Sequence, residues 1–449
     1  MSASTISHPG MRPPGPETGR GFGVAFEASR NYLAYFTKIA EQYGDLALIR
    51  FFRLQTLFIN NPEYIESVLV TNYQKFHKSP DYRALHLLLG NGLLTSEGEF
   101  WRRQRRLAQP AFHRERISSY SSMMVASTDQ MLGAWRPGVT LDVHREMMHL
   151  TLDIVAKCLF TADVTEVAHV VGAALEVSML QYVERAKTGF LIPDWVPTPG
   201  NLRYRRAVKK LDAIIYGVIE QHRKRGQADD LLGMLLAARD DDGRPMTDRQ
   251  LRDEVMTLFL AGHETTANTL AWTLYLLAQN PEAEARLHTE LDDVLGQRLP
   301  SMADVAELRY TGQVVKESMR LYPPAWGIGR QAQEPFEVGG YRFEKDTYVF
   351  ICQYITHRDR RYFPDPERFD PNRWNEESAR KVPRFAYLPF GAGPRVCIGA
   401  AFAAMETSLL LATIAQRFRL TLHPTHRVVP LTSITLRPKY GILMELHSR

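Results

Sequence analysis

The sequence predicts a mainly α-helical fold with a smaller β portion in one large domain, and three observations support that fold class. The 449 residues are 45% hydrophobic and 23% charged, which is typical of a protein with a large buried core. Apolar residues recur at helical spacing from Tyr64 to about residue 290. After residue 325, short apolar runs are separated by Pro, Asn and Asp, which indicates sheet and irregular loop.

The N-terminal segment differs from the rest of the chain. Residues 1–23 are polar and rich in Pro and Gly, so we expect a flexible tail there and a single domain over 24–449. The segment lacks the apolar core of a signal peptide, and no run in the sequence reaches the roughly 20 apolar residues of a spanning helix. We therefore expect a soluble, cytoplasmic protein with no transmembrane anchor.

Several short runs have strand character because they are rich in β-branched and aromatic residues and are bounded by turn-forming residues. The first two are close enough to form a hairpin. These runs are Leu46–Phe51, Leu54–Asn60, Phe336–Phe343, Tyr348–Ile355, Thr432–Leu436 and Tyr440–Leu446.

The longest predicted helix lies in the middle of the chain. A capping box at Thr247-Asp248-Arg249-Gln250 starts it, and Asn280-Pro281 ends it. About 33 residues span roughly 50 Å, enough to cross a whole domain. Gly262 and the nearby pair Thr265-Thr266 weaken the centre of this helix, which favours a small groove at that point.

The charge and the cysteines exclude several classes of protein. A net charge of +5 is only mildly basic, so we expect no nucleic-acid partner and at most a docking surface for an acidic protein. The three cysteines are odd in number and widely spaced, which argues against a disulfide framework or a Cys-ligated zinc site. Cys158 and Cys352 lie in apolar segments and are expected to be core residues.

Cys397 has different surroundings. It closes the turn Phe390-Gly-Ala-Gly-Pro-Arg-Val-Cys-Ile-Gly399, and an apolar helix is predicted directly after it, from Ala400 to Phe418. A helix N-terminus and free backbone N–H groups favour a thiolate, and glycines allow close approach to a flat ligand. Taken alone, an isolated cysteine is more often a small buried hydrophobe.

The whole ten-residue pattern resembles the heme-thiolate loop of the cytochrome P450 superfamily. Five positions match its fixed residues: Phe390, Gly393, Arg395, Cys397 and Gly399. The resemblance implies a prism-like fold with a long central helix, heme b (iron protoporphyrin IX) as cofactor, and Cys397 as its metal ligand. It also implies that Phe390, Gly391 and Gly399 contact the cofactor.

Ala261-Gly262-His263-Glu264-Thr265-Thr266 resembles the oxygen-binding motif of the same family. The resemblance implies that O2 sits beside Ala261 and Gly262, while Thr265 and Glu264 deliver the protons needed to cleave the O–O bond. A zinc-protease helix is a poorer alternative because Ala267 occupies the position of the second histidine ligand.

Trp101 and Arg105 fit the family's Trp-x-x-x-Arg and fall on one helix face. With Arg395 and Arg330, they are expected to hold the heme propionates, and His77 is a weaker candidate. Three other arginines of this region point elsewhere, so they are either solvated or help to dock an acidic electron donor. They are Arg102, Arg103 and Arg106.

Glu317-Ser-Met-Arg320 matches the family's Glu-x-x-Arg, and Pro366-Glu-Arg-Phe369 is interpreted as the segment that supplies a second arginine. The resemblance therefore implies a structural network of Glu317, Arg320 and Arg368 behind the cysteine loop.

Five segments are expected to line the substrate pocket by their position in the family. They are Tyr82–Leu94, Met179–Phe190, Met256–Ala261, Ala325–Ile328 and Thr432–Ile434. Their inward residues are mostly apolar, with Trp326 the bulkiest, while Glu184, Arg185 and Lys187 are expected on a solvated helix face. Such a pocket suits a small lipophilic substrate: a fatty acid, terpene, steroid or polyketide.

We therefore expect a monooxygenase that places one oxygen atom of O2 in its substrate. Electrons would come from NAD(P)H through a separate partner, either ferredoxin with ferredoxin reductase or a flavodoxin-type donor, because no flavin or iron–sulfur module follows Cys397. Two alternatives stay open: a peroxygenase or isomerase, and a non-catalytic heme-binding protein.

Overall fold

The computed structural model of the protein describes residues 12–16, 31–51, 54–160, 165–187, 192–226 and 230–449. Apart from 12–16, the predicted tail 1–23 lies outside the described residues, and so does Phe190 of the predicted pocket. The fold class is confirmed, since the described chain is mainly helical with several small sheets.

The α-helices are numbered here in chain order. They are α1 (Tyr32–Tyr43), α2 (Pro62–Glu66), α3 (His86–Leu89), α4 (Gly98–Ala108), α5 (Arg114–Ser119), α6 (Ser121–Leu132), α7 (Val143–Phe160), α8 (Thr165–Lys187), α9 (Pro199–Arg225), α10 (Leu231–Ala237), α11 (Asp248–Gln279), α12 (Pro281–Leu295), α13 (Arg309–Leu321), α14 (Gln353–Thr356), α15 (Glu376–Ala379) and α16 (Ala400–Ala415).

The strands are short and fall into separate sheets. They are β1 (Leu46–Phe51), β2 (Leu54–Ile59), β3 (Phe76–Lys78), β4 (Thr140–Asp142), β5 (Ile328–Ala332), β6 (Phe336–Val338), β7 (Tyr341–Phe343), β8 (Tyr348–Ile351), β9 (Phe418–Leu422), β10 (Pro430–Thr432), β11 (Leu436–Pro438) and β12 (Leu443–Ser448). The largest sheet has the order β1-β2-β8-β5-β3; smaller sheets are β4-β12-β9, β10-β11 and β6-β7.

The chain divides into two compact units. The sheet unit comprises the residues up to Tyr82, Met319–Phe369 and Trp374–Cys397, and contains the five-stranded sheet. The helical unit comprises Arg83–Ser318, Asp370–Arg373 and Ile398–Arg449, and contains α11. The prediction of one domain over 24–449 stays a prediction.

The predicted β-hairpin is confirmed in the sheet unit. β1 and β2 pair antiparallel from Leu46 opposite Ile59 to Phe51 opposite Leu54. Alternate residues such as Phe58 face a buried aromatic cluster, where the ring of Phe36 from α1 lies 4.6 Å from that of Phe350 on β8.

The predicted central helix is also confirmed. The Thr247 side chain accepts a hydrogen bond from Gln250 N (3.3 Å), and the Gln250 side chain accepts one from Thr247 N (2.7 Å). These contacts satisfy free N–H groups at the start of α11, which runs for 32 residues until Asn280 and Pro281 end it. α11 packs on α7, and a Cβ at Gly262 would lie 3.0 Å from Val155 Cγ2.

Three predicted segments near the C-terminus have different bounds. The predicted strand Tyr348–Ile355 ends at Ile351, because Cys352 caps α14 and its carbonyl accepts hydrogen bonds from Thr356 N and Oγ1. The predicted helix from Ala400 ends at Ala415, and Phe418 begins β9. The last predicted strand starts only at Leu443, after Gly441 with φ +70°.

The predicted strand Thr432–Leu436 is instead a turn between β10 and β11. Ser433 N and Oγ both donate to the carbonyl of Thr435, at 3.0 and 2.9 Å. Such local side-chain bonds favour a turn over a continuous strand.

Candidate active site

The Cys397 loop is closed by its own backbone. Cys397 N donates to Phe390 O (2.9 Å), Gly391 N donates to Leu388 O (3.0 Å), and Val396 N donates to Gly393 O (3.0 Å). These bonds hold the cysteine at the end of a compact turn, three residues before α16 begins.

Two glycines are required by this geometry. Gly391 and Gly393 have φ of +72° and +68°, in the region that side chains disfavour. At Gly393 a Cβ would also lie 2.1 Å from the carbonyl oxygen of Leu69. Gly399 differs, because its φ of −88° is open to any residue.

Two side chains that the sequence reasoning missed anchor the start of the loop. His357 Nε2 accepts a hydrogen bond from Leu388 N (2.8 Å), and Gln353 Nε2 donates to Leu388 O. Burial, with Arg320 and Arg358 nearby, lowers the pKa of His357 to about 3, so its ring is neutral and can accept. No spacing signal pointed to these residues, because they lie more than 30 positions before the loop.

The three thiols differ in accessibility. Cys158 and Cys352 are buried, as predicted, and burial raises the pKa of both thiols, that of Cys352 to about 12. Cys397 is exposed. Only the thiol in the loop therefore combines access with a turn able to admit a ligand.

The two arginines predicted for the propionates in the sheet unit lie on separate elements. Arg395 ends the short turn Gly393–Arg395 inside the loop. Arg330 is buried on β5, where its Nη1 donates to the Gly329 carbonyl (2.8 Å). β5 begins beside the loop, since Ile328 Cδ1 would lie 3.8 Å from a Cβ at Gly391.

In the helical unit, the middle of α11 is accessible on one side. Leu251–Leu260 and Thr266–Leu274 are buried, whereas Ala261 is exposed and Gly262 and Thr265 are half-buried. The helix is continuous here, and Thr265 Oγ1 donates to Ala261 O (2.7 Å), so the groove expected at this point stays a prediction. The accessible face therefore carries three of the predicted oxygen-binding residues.

Glu264 lies on the other side of α11. It is buried, and its Oε1 accepts a hydrogen bond from the Thr435 hydroxyl (2.6 Å). Burial raises the pKa of its carboxyl, while the Thr435 bond and Arg437 oppose that rise. The carboxyl is therefore biased toward its protonated form, as a proton donor requires.

Trp101 and Arg105 lie on α4, one turn apart as predicted, and Trp101 is buried. The three neighbouring arginines all pair with carboxylates of the helical unit: Arg102 with Glu99, Arg103 with Asp240 (2.6 Å), and Arg106 with Asp241 (2.9 Å). Their role in docking a donor stays a prediction. The three ion pairs leave less uncompensated positive charge on this region than the sequence indicated.

The predicted network around Glu317 needs correction. The second arginine is Arg373, whose Nε lies 3.3 Å from Glu317 Oε1; Asp370 N also donates to that oxygen (3.0 Å). The side chain of Arg368 is exposed, and this residue contributes its backbone carbonyl, which accepts from Arg320 Nη2 (3.1 Å). Two similar Pro-x-Arg-aromatic segments follow one another here, and only the later one, Pro371–Trp374, brings its arginine inward.

One expectation about the pocket segments is wrong, for Arg185, and the expectation that Trp326 lines the pocket stays a prediction. Arg185 is not on a solvated face: its side chain is 10% exposed and pairs with Asp194, because α8 ends against the loop before α9. The ring of Trp326 packs in the aromatic cluster of the sheet unit, 5.8 Å from Phe350 and 6.1 Å from Tyr32.

The residues present fit a heme group. The sheet unit offers an accessible thiol in a glycine turn, with two arginines on the loop and on the adjoining strand. In the helical unit the accessible face of α11 carries the Thr265 hydroxyl, with a protonatable carboxyl on the preceding residue. Over the described ranges, no group of three or more His, Cys, Asp and Glu side chains could hold a bare metal ion.

Among the helices of the described residues, none is both long and apolar enough to cross a bilayer.

A loop with an accessible thiol and a helix with a Thr–Glu pair define the class of heme-thiolate oxygenases. The cytochrome P450 family model matches residues 9–444, so the chain belongs to the cytochrome P450 family and is a heme-dependent monooxygenase.

Relatives of similar length occur in Streptomyces. Cyclooctatin synthase from Streptomyces melanosporofaciens is 40% identical, over 94% of this chain and 91% of the relative. Pentalenene oxygenase from Streptomyces avermitilis is 35% identical, over 95% of each. The crystal structure of the cytochrome P450DA heme domain superposes with a TM-score of 0.88 at 27% identity, covering 97% of both chains.

Proposed function

We propose that this monooxygenase oxidises a cyclic terpene, using electrons that a separate redox protein transfers from NAD(P)H. The support for the substrate class comes from the relatives. One is named for oxygenation of pentalenene, and a second, 39% identical over 84% of this chain, is named cyclooctat-9-en-7-ol 5-monooxygenase. Both names denote compact, weakly polar molecules, in agreement with the lipophilic substrate expected from the sequence.

The residues that would hold the heme follow from the site. Cys397 would ligate the iron through its thiolate, with Phe390, Gly391 and Gly399 against the ring. Arg330, Arg395, Trp101 and Arg105 would bind the propionates, since guanidinium groups and an indole N–H donate hydrogen bonds to carboxylates. When bound, the heme supplies activation of O2, so that one oxygen atom enters the substrate and the other leaves as water.

Thr265 and Glu264 of α11 would deliver the protons that O–O bond cleavage requires. The Thr265 hydroxyl is on the accessible face and can exchange its bond to Ala261 O for one to a guest. Glu264 would hold a proton at Oε2, the oxygen that Thr435 does not occupy. The accessible Thr265 next to a buried acid is the observation that carries the monooxygenase mechanism over a peroxygenase or an isomerase.

A reconstitution with the purified holoprotein tests this proposal. NADPH, ferredoxin and ferredoxin reductase are supplied with pentalenene, or with a fatty acid of similar size as the control. We expect pentalenene to shift the ferric Soret band and to yield a product carrying one oxygen atom from ¹⁸O2. Oxidation of the fatty acid alone would overturn the terpene assignment. Turnover with hydrogen peroxide but none with NADPH would establish the peroxygenase alternative.

A further inference from the structure

The contacts of Glu264 continue into a buried chain of hydrogen bonds. Its Oε1 accepts from the Thr435 hydroxyl at 2.6 Å. Its Oε2 is buried and has no hydrogen-bond partner among the described residues. One carboxyl oxygen is therefore held, and the other is available to exchange a proton.

Thr435 is itself held by a second residue of α11. Asn268 Nδ2 donates to Thr435 Oγ1 at 3.1 Å, and Asn268 lies one helical turn after Glu264. Both Asn268 and Thr435 are buried. The Thr435 hydroxyl, in the turn between β10 and β11, thus links the side chains of Glu264 and Asn268 on α11.

The series of hydrogen bonds ends at His144, near the start of α7. His144 Nε2 lies 3.0 Å from Asn268 Oδ1, and the residue is half-buried. Burial lowers the pKa of His144 to about 4, with Arg437 adding to the effect and Asp142 opposing it. A neutral imidazole has one N–H, so the amide oxygen, which can only accept, places the hydrogen on Nε2.

Every donor in this chain points toward the carboxyl. His144 donates to Asn268, Asn268 donates to Thr435, and Thr435 donates to Glu264. Hydrogen bonds that line up in this way polarise one another and favour the carboxylate form of the acceptor. Burial of Glu264 favours the neutral acid instead.

We propose that Thr435 is a positioning residue for proton delivery. Its hydroxyl, oriented by Asn268 and His144, fixes the Glu264 carboxyl and stabilises the carboxylate left after Oε2 has passed its proton to a water molecule. Water then returns a proton to Oε2. This inference rests on the proposed role of Glu264 in the monooxygenase reaction.

Other charges near the chain act on the same group. Arg437 lies close enough to lower the pKa of Glu264 and of His144. His263, next to Glu264, is buried, and burial together with His144 and His149 lowers its pKa to about 3. At neutral pH His144 and His263 are uncharged, and Arg437 and Asp142 are charged groups that act on the hydrogen-bonded side chains.

Thr435→Val tests the proposal, because valine keeps the shape and removes the hydroxyl. Thr435→Ser restores the hydroxyl. Thr273→Val is the matched control, since Thr273 is a buried threonine of α11 whose hydroxyl donates only to the carbonyl of Thr269 (2.6 Å). The first readout is the infrared titration of the protonated carboxyl band in the holoprotein, assigned to Glu264 by its loss in Glu264→Gln.

We expect the titration midpoint to rise by about one pH unit in Thr435→Val, the size of one hydrogen bond to a carboxylate. It should return in Thr435→Ser and stay unchanged in Thr273→Val. In NADPH-driven turnover, Thr435→Val should lose about tenfold in product per NADPH and show a larger solvent deuterium isotope effect, because proton release limits the rate. Substrate-induced spectral shifts should keep their midpoint concentration.

A wild-type midpoint and wild-type coupling in Thr435→Val would overturn the inference while leaving the monooxygenase assignment intact. Weaker substrate binding with an unchanged midpoint would also overturn it, since the hydroxyl would then serve the substrate alone. Absence of NADPH-dependent product in the wild type would instead reject the proposed function.

Discussion

Neighbouring residues on α11 have different surroundings because a helix turns about 100° per residue. Thr265 is on the accessible face, whereas the Glu264 carboxyl is buried against Thr435 on the other side. The pair thus separates an accessible hydroxyl from an acid whose pKa is raised by burial. The rotation of about 100° between consecutive residues of the helix produces this separation.

Thr265→Ala removes the accessible hydroxyl and leaves its partner, the Ala261 carbonyl, to an ordinary helix bond. Since the Thr265 hydroxyl donates within α11, to Ala261 O, we expect heme content to stay at the wild-type level. Product per NADPH should fall about tenfold or more, with the lost electrons recovered as hydrogen peroxide. Thr265→Ser is the control that should retain coupling, and unchanged coupling in Thr265→Ala would contradict the role of the hydroxyl.

At the scale of elements, α13 supplies two buried charges that are satisfied differently. Arg320 donates to the carbonyls of His357 and Pro366 at 3.0 and 2.7 Å, and thereby ties down the chain before the Cys397 loop. Glu317 is 0% exposed and is paired with Arg373, whose side chain is 12% exposed. A buried charge of this kind destabilises the fold strongly when its partner is lost.

Arg373→Ala should therefore lower the free energy of unfolding by about 3 to 5 kcal/mol, because the buried Glu317 carboxylate would lose its ion pair with Arg373. Urea denaturation of the holoprotein measures the change. Arg368→Ala is the matched control, since that side chain is exposed and the residue contacts Arg320 through its backbone carbonyl; it should change stability by about 0.5 kcal/mol or less. The reverse order of the two effects would reinstate Arg368 as the partner of Glu317.

At the scale of the whole molecule, the fold class and family could be predicted because they depend on local patterns. The capping box that starts α11 and the glycine turn before Cys397 are both contiguous in sequence. Contacts between distant segments could not be predicted in this way. Thr435 meets Glu264 across 171 positions and His357 meets Leu388 across 31, and no periodicity encodes either pairing.

Repeated or ambiguous local sequence patterns explain why the predictions for Arg368 and for the segment around Cys352 were wrong. Arg368 and Arg373 sit in similar short segments, and only tertiary burial distinguishes the inward side chain. The apolar run around Cys352 fits a strand or a short helix equally well, and the Thr356 bonds to the Cys352 carbonyl decide for the helix.

The ligation of the iron by Cys397 is the central claim, and the absorption spectrum of the reduced, carbon-monoxide-bound protein tests it most directly. The wild type should show the red-shifted Soret band of thiolate-ligated heme, and so should Cys158→Ala, which alters a buried thiol. Cys397→Ser should lose that band even when the protein is folded and supplied with hemin. A thiolate-type band in Cys397→Ser, or a correctly folded wild type that binds no heme, would contradict the account.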